Sequence, residues 1–145
     1  MCGGRAIFFT LGSLLEIMKL DTRAIQMIDG RNFGYLATIM KDGSPQVTPV
    51  WVDHEDGLIL VNTAVGRVKQ KNTKVNPKVA ISIADASNQY DMITIRGRVV
   101  EQSTAGAEDH IHKLAKKYLS KEKYPWLSPS ETRIILKIEP EHYTA

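Results

Sequence analysis

The sequence predicts a mainly β fold with helices: a six-stranded antiparallel barrel, closed on itself. Three observations carry that prediction. β-favouring runs recur from residue 33 onward, and Asp42-Gly43 and Asp56-Gly57 stand between the first three as tight hairpin turns. The strands are apolar on both faces: Val47 and Trp51 point one way, Val50 and Val52 the other. A sheet with one wet face would show polar residues at every second position, so a barrel interior on one side and a helix or second subunit on the other is implied. Finally, one long helical period, residues 104–119, follows the fifth strand.

In chain order, Asp21 is an N-cap, Ile25 and Ile28 form a short apolar stripe and Gly30 is a stop, which predicts a helix over residues 22–29. Strands follow at residues 33–40 (FGYLATIM), 45–53 (PQVTPVWVD) and 58–62 (LILVN), an antiparallel meander. Residues 66–74 (GRVKQKNTK) form a turn and a short basic helix, ended by Asn76-Pro77. The fourth strand is 78–85 (KVAISIAD), a loop takes 86–90, and the fifth strand is 92–102 (MITIRGRVVEQ). Gly97 within it signals a bulge or a close backbone approach. In the long helix Ala107, Ile111, Leu114, Ala115, Tyr118 and Leu119 share a face opposite Glu108, Asp109, Lys113 and Lys116. A proline-bearing loop, 121–130, leads to the closing strand, 132–139 (TRIILKIE).

The 145 residues suit one domain, residues 18–145, with residues 1–17 as an N-terminal extension. That extension carries Arg5 and then an apolar run, but Glu16 and Lys19 follow instead of a small-residue cleavage site. It reads as a segment upstream of a start at Met18, or as a strand or helix packed on the barrel, ahead of a signal peptide. No apolar run approaches the roughly 20 residues a membrane helix needs, so no membrane partner is expected. The single cysteine, Cys2, excludes an internal disulfide and any zinc ligand set, which implies a reducing, cytoplasmic setting. A net charge of +3 is too small to imply nucleic acid unless it clusters.

It clusters in one place. Residues 62–77 (NTAVGRVKQKNTKVNP) join a strand end, a glycine turn and a helix start with Arg67, Lys69 and Lys71 alongside, the elements of an anion site. Arg grips a phosphate through two parallel bonds and Lys adds a point charge. On one continuous helix Lys69 would point nearly opposite to Arg67, so the two converge only if Arg67 lies in the turn before the helix. The alternative is a solvated basic helix face.

The element order, with LATIMKDGSPQVTPVWV, NTAVGRVKQKNTKVNPKVAISI and RIILKIEPEHY, resembles the pyridoxamine 5′-phosphate oxidase-like family over about residues 33–143. More narrowly it resembles the small branch that uses FMN or the deazaflavin coenzyme F420. The resemblance implies an FMN-binding split β-barrel, homodimeric, with cofactor at the subunit interface. It implies that Arg67 and Lys69 hold the cofactor phosphate with Lys71 and Asn72 nearby. Thr48, Pro49, Val50 and Trp51 would meet the isoalloxazine edge, and Asn62 and Thr63 the phosphate or ribityl chain. The implied activity is hydride transfer to or from a small organic substrate, carried by the cofactor without a catalytic side chain. True pyridoxamine phosphate oxidases carry an Arg-x-His substrate motif near the C-terminus. Residues 139–145 (EPEHYTA) lack it, so pyridoxamine phosphate oxidation is not expected.

Other polar residues have simpler readings. His110 and His112 are two apart on a helix and diverge by about 200°, which excludes a shared metal. His54 reads as exposed beside a hairpin, and Asp53, Glu55 and Asp56 read as turn residues. His142 and Tyr143 follow the last strand, where they dock the terminus or edge a cleft. Trp51 either stacks on a ligand ring or packs in the core or dimer, and Tyr90, Tyr124 and Trp126 lie on loops that could reach a partner's cofactor. The functions competing with an F420- or FMN-dependent oxidoreductase are a non-catalytic flavin carrier and, well behind, a small barrel binding nucleic acid.

Overall fold

A computed structural model describes residues 20–144; the expectations for residues 1–17 and for a start at Met18 lie outside them. The chain forms helix α1 (Thr22–Asp29), strands β1 (Gly34–Ile39), β2 (Pro45–Val50), β3 (Val52–Glu55) and β4 (Leu58–Ala64), and helix α2 (Val68–Val75). Strands β5 (Lys78–Asp85) and β6 (Asn88–Ser103), helix α3 (Ala107–Leu119) and strand β7 (Arg133–Thr144) follow. All strand pairs are antiparallel, in the order β2-β1-β5-β6-β7-β4-β3.

Two expectations change here. The sheet has seven strands, not six, and it is not closed by hydrogen bonds: β2 pairs only with β1, and β3 only with β4. The run 45–53 is divided at Trp51, so the two sheet edges are consecutive pieces of one segment. Side chains of α3 take over the missing ladder bonds. The Val52 N–H donates to Tyr118 Oη (3.1 Å), Tyr118 Oη donates to the Asn32 carbonyl (2.7 Å), and Lys117 Nζ donates to the Val52 carbonyl (2.8 Å) and to that of Ile28. Trp51 lies flat on the Tyr118 ring, with centroids 5.1 Å apart and planes 5° apart. Buried polar backbone must find partners, and a helix that supplies them lets a strand change sheet edge. Burial pushes the Tyr118 phenol up to about 12, with the Asp53 charge adding to the effect, and brings Lys117 down to about 8.

Local chemistry accounts for the rest. Asp21 accepts the Ala24 N–H (2.8 Å) and starts α1, whose Ala24, Met27 and Ile28 enter the core. Asp56 and Gly57 both have positive φ (53° and 79°), the turn that matches strand twist. The loop expected over 86–90 is shorter, because β6 already begins at Asn88. β7 runs on to Thr144, so His142 and Tyr143 belong to the sheet opposite Arg96 and Ile95. At Gly97 a Cβ would lie 2.0 Å from the Glu139 carbonyl oxygen, which is the close approach its position in the strand implied. Leu36, Val52, Ile59, Ile81, Ile95, Leu136 and Ile138 fill the interior, and Leu60 and Ile135 pack with Ala107 of α3 in a smaller cluster on the other face.

Candidate functional site

Where β2 breaks into β3, the end of β4, the start of β7 and the loop after α3 meet around a cavity of about 160 Å³. Its basic wall is built by the turn after β4. Gly66 (φ 94°) reverses the chain, and its N–H donates to Gln70 Oε1 (2.8 Å), fixing the turn to the helix it precedes. Arg67 is the N-cap of α2 with extended backbone, so it stands before the helix and Lys69 within its first turn. That is the one geometry in which the two converge, and both line the cavity.

A third cation joins them. Arg133 opens β7 and is 6% exposed, and it too lines the cavity. Its Nε donates to Asn62 Oδ1 (2.9 Å) and its guanidinium lies 5.3 Å from the Tyr124 ring centre, while Nη1 is buried with no hydrogen-bond partner. The nearby carboxylate, Glu131, binds Arg67 (2.7 Å) and approaches Arg133 Nη1 at 3.7 Å. The bond from Arg67 holds the Glu131 carboxyl below its ordinary value. Burial lowers the Lys69 ammonium, and the charges of Arg67 and Arg133 lower it further. Three cations facing one carboxylate, with Lys69 in no ion pair among the described residues, is an arrangement an anion relieves. Thr63 Oγ1, on the same wall, is also buried and unpartnered.

The rest of the lining is mostly apolar and aromatic. Pro49, Val50 and Trp51 come from the β2–β3 junction, Phe33 from the entry to β1, and Tyr124 and Trp126 from the loop before β7. Tyr124 meets Trp51 and Trp126 edge to face, with centroids 5.9 and 5.5 Å away. Cations and aromatic side chains in one lining suit a ligand with an anionic end and a flat end.

Of the residues the sequence nominated, Pro49, Val50, Trp51, Asn62, Thr63, Arg67 and Lys69 are brought together around this cavity. Thr48, Lys71 and Asn72 are not among its lining residues. Thr48 Oγ1 is buried without a partner, Lys71 is exposed, and Asn72 Nδ2 donates to Thr38 Oγ1 (3.0 Å). Sequence reasoning missed Arg133, whose signal was a charged residue at the head of an apolar strand, and it misread Asp53. Asp53 lies in β3, 9% exposed, and accepts from His110 Nε2 (3.0 Å), Lys113 Nζ (3.2 Å) and the His54 N–H (2.9 Å). Burial works to raise the Asp53 carboxyl, yet the bonds from His110, His54 and Lys113 prevail and hold it well below the carboxylate range. His112 Nδ1 accepts the Tyr124 N–H (2.9 Å), His54 pairs with Asp29 (2.8 Å), and no metal-ligand cluster occurs among the described residues. No helix among them is long and apolar enough to cross a membrane.

Comparison with known proteins bears on the family and the fold. The family model for pyridoxamine 5′-phosphate oxidase matches residues 20–145. A solved F420 reductase is 26% identical with a TM-score of 0.72, over 82% of this chain and 94% of its own. General Stress Protein 26 from Bacillus anthracis is 21% identical (TM-score 0.60; 83% and 88%). HupZ from Group A Streptococcus is 18% identical (TM-score 0.60; 86% and 97%).

Proposed function

Because the chain belongs to the pyridoxamine 5′-phosphate oxidase family, we propose that its cavity holds the phosphate end of coenzyme F420 or FMN and that the protein is an oxidoreductase acting on a small organic substrate. The observation that carries this reading is the convergence of Arg67, Lys69 and the buried Arg133 on one cavity that aromatic side chains also line. Similarity to an F420 reductase supports the deazaflavin as occupant, and the same clamp accepts FMN.

When bound, either cofactor supplies hydride transfer at its ring. The chain's own part is to bind and orient. Arg67 and Arg133 offer paired N–H donors to phosphoryl oxygens, and Lys69 adds charge. Thr63 Oγ1 supplies a further donor with no competing partner. Pro49 of β2 and Trp51 at the β2–β3 break would border the ring, and Tyr124 and Trp126 would shield it from water. Among the described residues its lining holds no carboxylate, imidazole or thiol, and Arg67, Lys69 and Arg133 supply its charge.

A second copy completes the site in this reading. Ligand pockets that enclose a ligand are about 300–1,000 Å³, and one chain offers about 160 Å³. Next to it, the register Tyr35↔Pro49 and Ala37↔Val47 places an apolar strip on the outer face of β1 and β2, with Tyr35 48% and Val47 61% exposed. That strip answers the both-faces pattern of the sequence and is where the homodimer would form.

The test is the visible absorption of purified protein before and after each cofactor is added, followed by turnover against a panel of reducible compounds. Cofactor binding with reduction of a panel member is the expected outcome. Binding without turnover would make the protein a carrier, and binding of neither cofactor would remove the reading.

A further inference from the structure

We propose that Asp53, His110 and Asn62 are positioning residues: a relay that holds the Arg133 guanidinium against the phosphate cavity, so that ligand affinity depends on two side chains that do not line it. The inference rests on the reading of that cavity as a phosphate site.

Each member of the relay has one admissible role. The Asp53 carboxylate already collects the His54 N–H and the Lys113 ammonium, and as an ionised group it can only accept. The imidazole nitrogen 3.0 Å from Asp53 Oδ2, His110 Nε2, must therefore carry the hydrogen of that bond. Arg133 Nε can only donate, so the Asn62 oxygen faces it and the Asn62 Nδ2 donates to His110 Nδ1, 3.0 Å away. The same Nδ2 donates to the Ala107 carbonyl (2.8 Å), so the amide has two acceptors on one side. Its oxygen must face the other way, where it meets Arg133 Nε at 2.9 Å. Arginine has no acceptor, so the reverse amide orientation would set donor against donor at Arg133 and oxygen against oxygen at Ala107.

The relay runs along the face of the sheet that α3 covers. Asp53 and His110 line a separate cavity of about 350 Å³ with Lys113, Asp109, Glu55 and Lys137, and neither lines the phosphate cavity. Asn62 stands between, on β4, diagonal to Arg133 through the pairs Asn62↔Ile135 and Ala64↔Arg133. Both ends of its amide are already engaged within the protein, which fits orientation of Arg133 better than a contact of its own with the cofactor. A relay that served stability alone would leave the guanidinium satisfied, yet Nη1 is buried without a hydrogen-bond partner. A buried cation oriented this way, its Nη1 meeting Glu131 only at 3.7 Å and with no hydrogen-bond partner among the described residues, is the pattern of a site held ready for an anion.

The experiment is a double-mutant cycle read by equilibrium titration with FMN, with F420 and with inorganic pyrophosphate. Wild type is compared with Asn62→Ala, His110→Ala, Arg133→Met and the doubles Asn62→Ala/Arg133→Met and His110→Ala/Arg133→Met, with unfolding temperature recorded for each. Each single change should weaken binding about tenfold. Once Arg133 is Met, adding either upstream change should alter affinity by less than about twofold, because its effect passes through Arg133. Losses that multiply in the doubles, or undiminished affinity in Asn62→Ala and His110→Ala, would overturn the relay and leave the phosphate site standing. Wild type that binds none of the three probes would overturn both. Should Asn62→Ala not fold, His110→Ala carries the cycle alone.

Discussion

Asp53 gathers donors from a backbone N–H, an imidazole and an ammonium, and its burial makes the fold depend on all three. Its folded pKa lies below the unfolded value, so its stabilisation is present above about pH 4 and is lost as pH falls through the folded value. Urea unfolding of wild type and Asp53→Asn should therefore differ by on the order of 2 kcal/mol at pH 7, with the gap closing toward pH 3. A constant gap would contradict this. The cations at the cavity make a separate prediction. Arg67→Ala and Lys69→Ala should each weaken FMN and F420 binding about 10- to 100-fold with near-UV circular dichroism unchanged, since each charge-assisted bond is worth about 1.5–3 kcal/mol. These two residues were legible in the sequence because one glycine turn and one helix start, all local, decide where they point. Arg133 was not, because only the pairing of β4 with β7 brings it to the same wall. Asp53 was misread for the same reason: the sequence shows an acidic cluster by a turn, and the helix that buries it comes more than fifty residues later.

The break between β2 and β3 is the element that makes the site. Trp51 leaves the ladder there, and Tyr118 bridges the Val52 N–H and the Asn32 carbonyl that would otherwise be buried unpaired. Tyr118→Phe keeps the ring on Trp51 but strands both groups, and should cost about 1–3 kcal/mol in chemical denaturation. A change under half a kcal/mol would show that water replaces the phenol at no cost. On the central strand of the sheet, Gly97→Ala drives a methyl into the Glu139 carbonyl and should destabilise by about 3 kcal/mol, read the same way. Most elements follow from local chemistry, as with α1 and its Asp21 cap or the Asp56-Gly57 turn. The division at Trp51 does not, because nothing in PQVTPVWVD marks it. It arises where α3 offers Tyr118 and Lys117 in place of strand partners, a tertiary effect overriding a continuous β-favouring run.

Across the whole molecule, an incomplete cavity adjoins an uncovered apolar strip on β1 and β2, and a second copy would resolve both. Val47→Asp places a charge on that strip and should halve the mass seen by light scattering and abolish cofactor binding together. A variant that stays dimeric, or a monomer that binds normally, would place the interface elsewhere. The apolar residues on both strand faces were legible in the sequence, while the open edges of the sheet were not, since strand patterning reports faces and not closure. In the proposed function the cations past β4 and at the head of β7 neutralise a phosphoryl group. Titrating wild type with FMN and F420 beside the phosphate-free parent of each isolates that contribution. The phosphorylated forms should bind at least about a hundredfold more tightly, the advantage shrinking as salt rises. Equal affinity for the phosphate-free parents would contradict it.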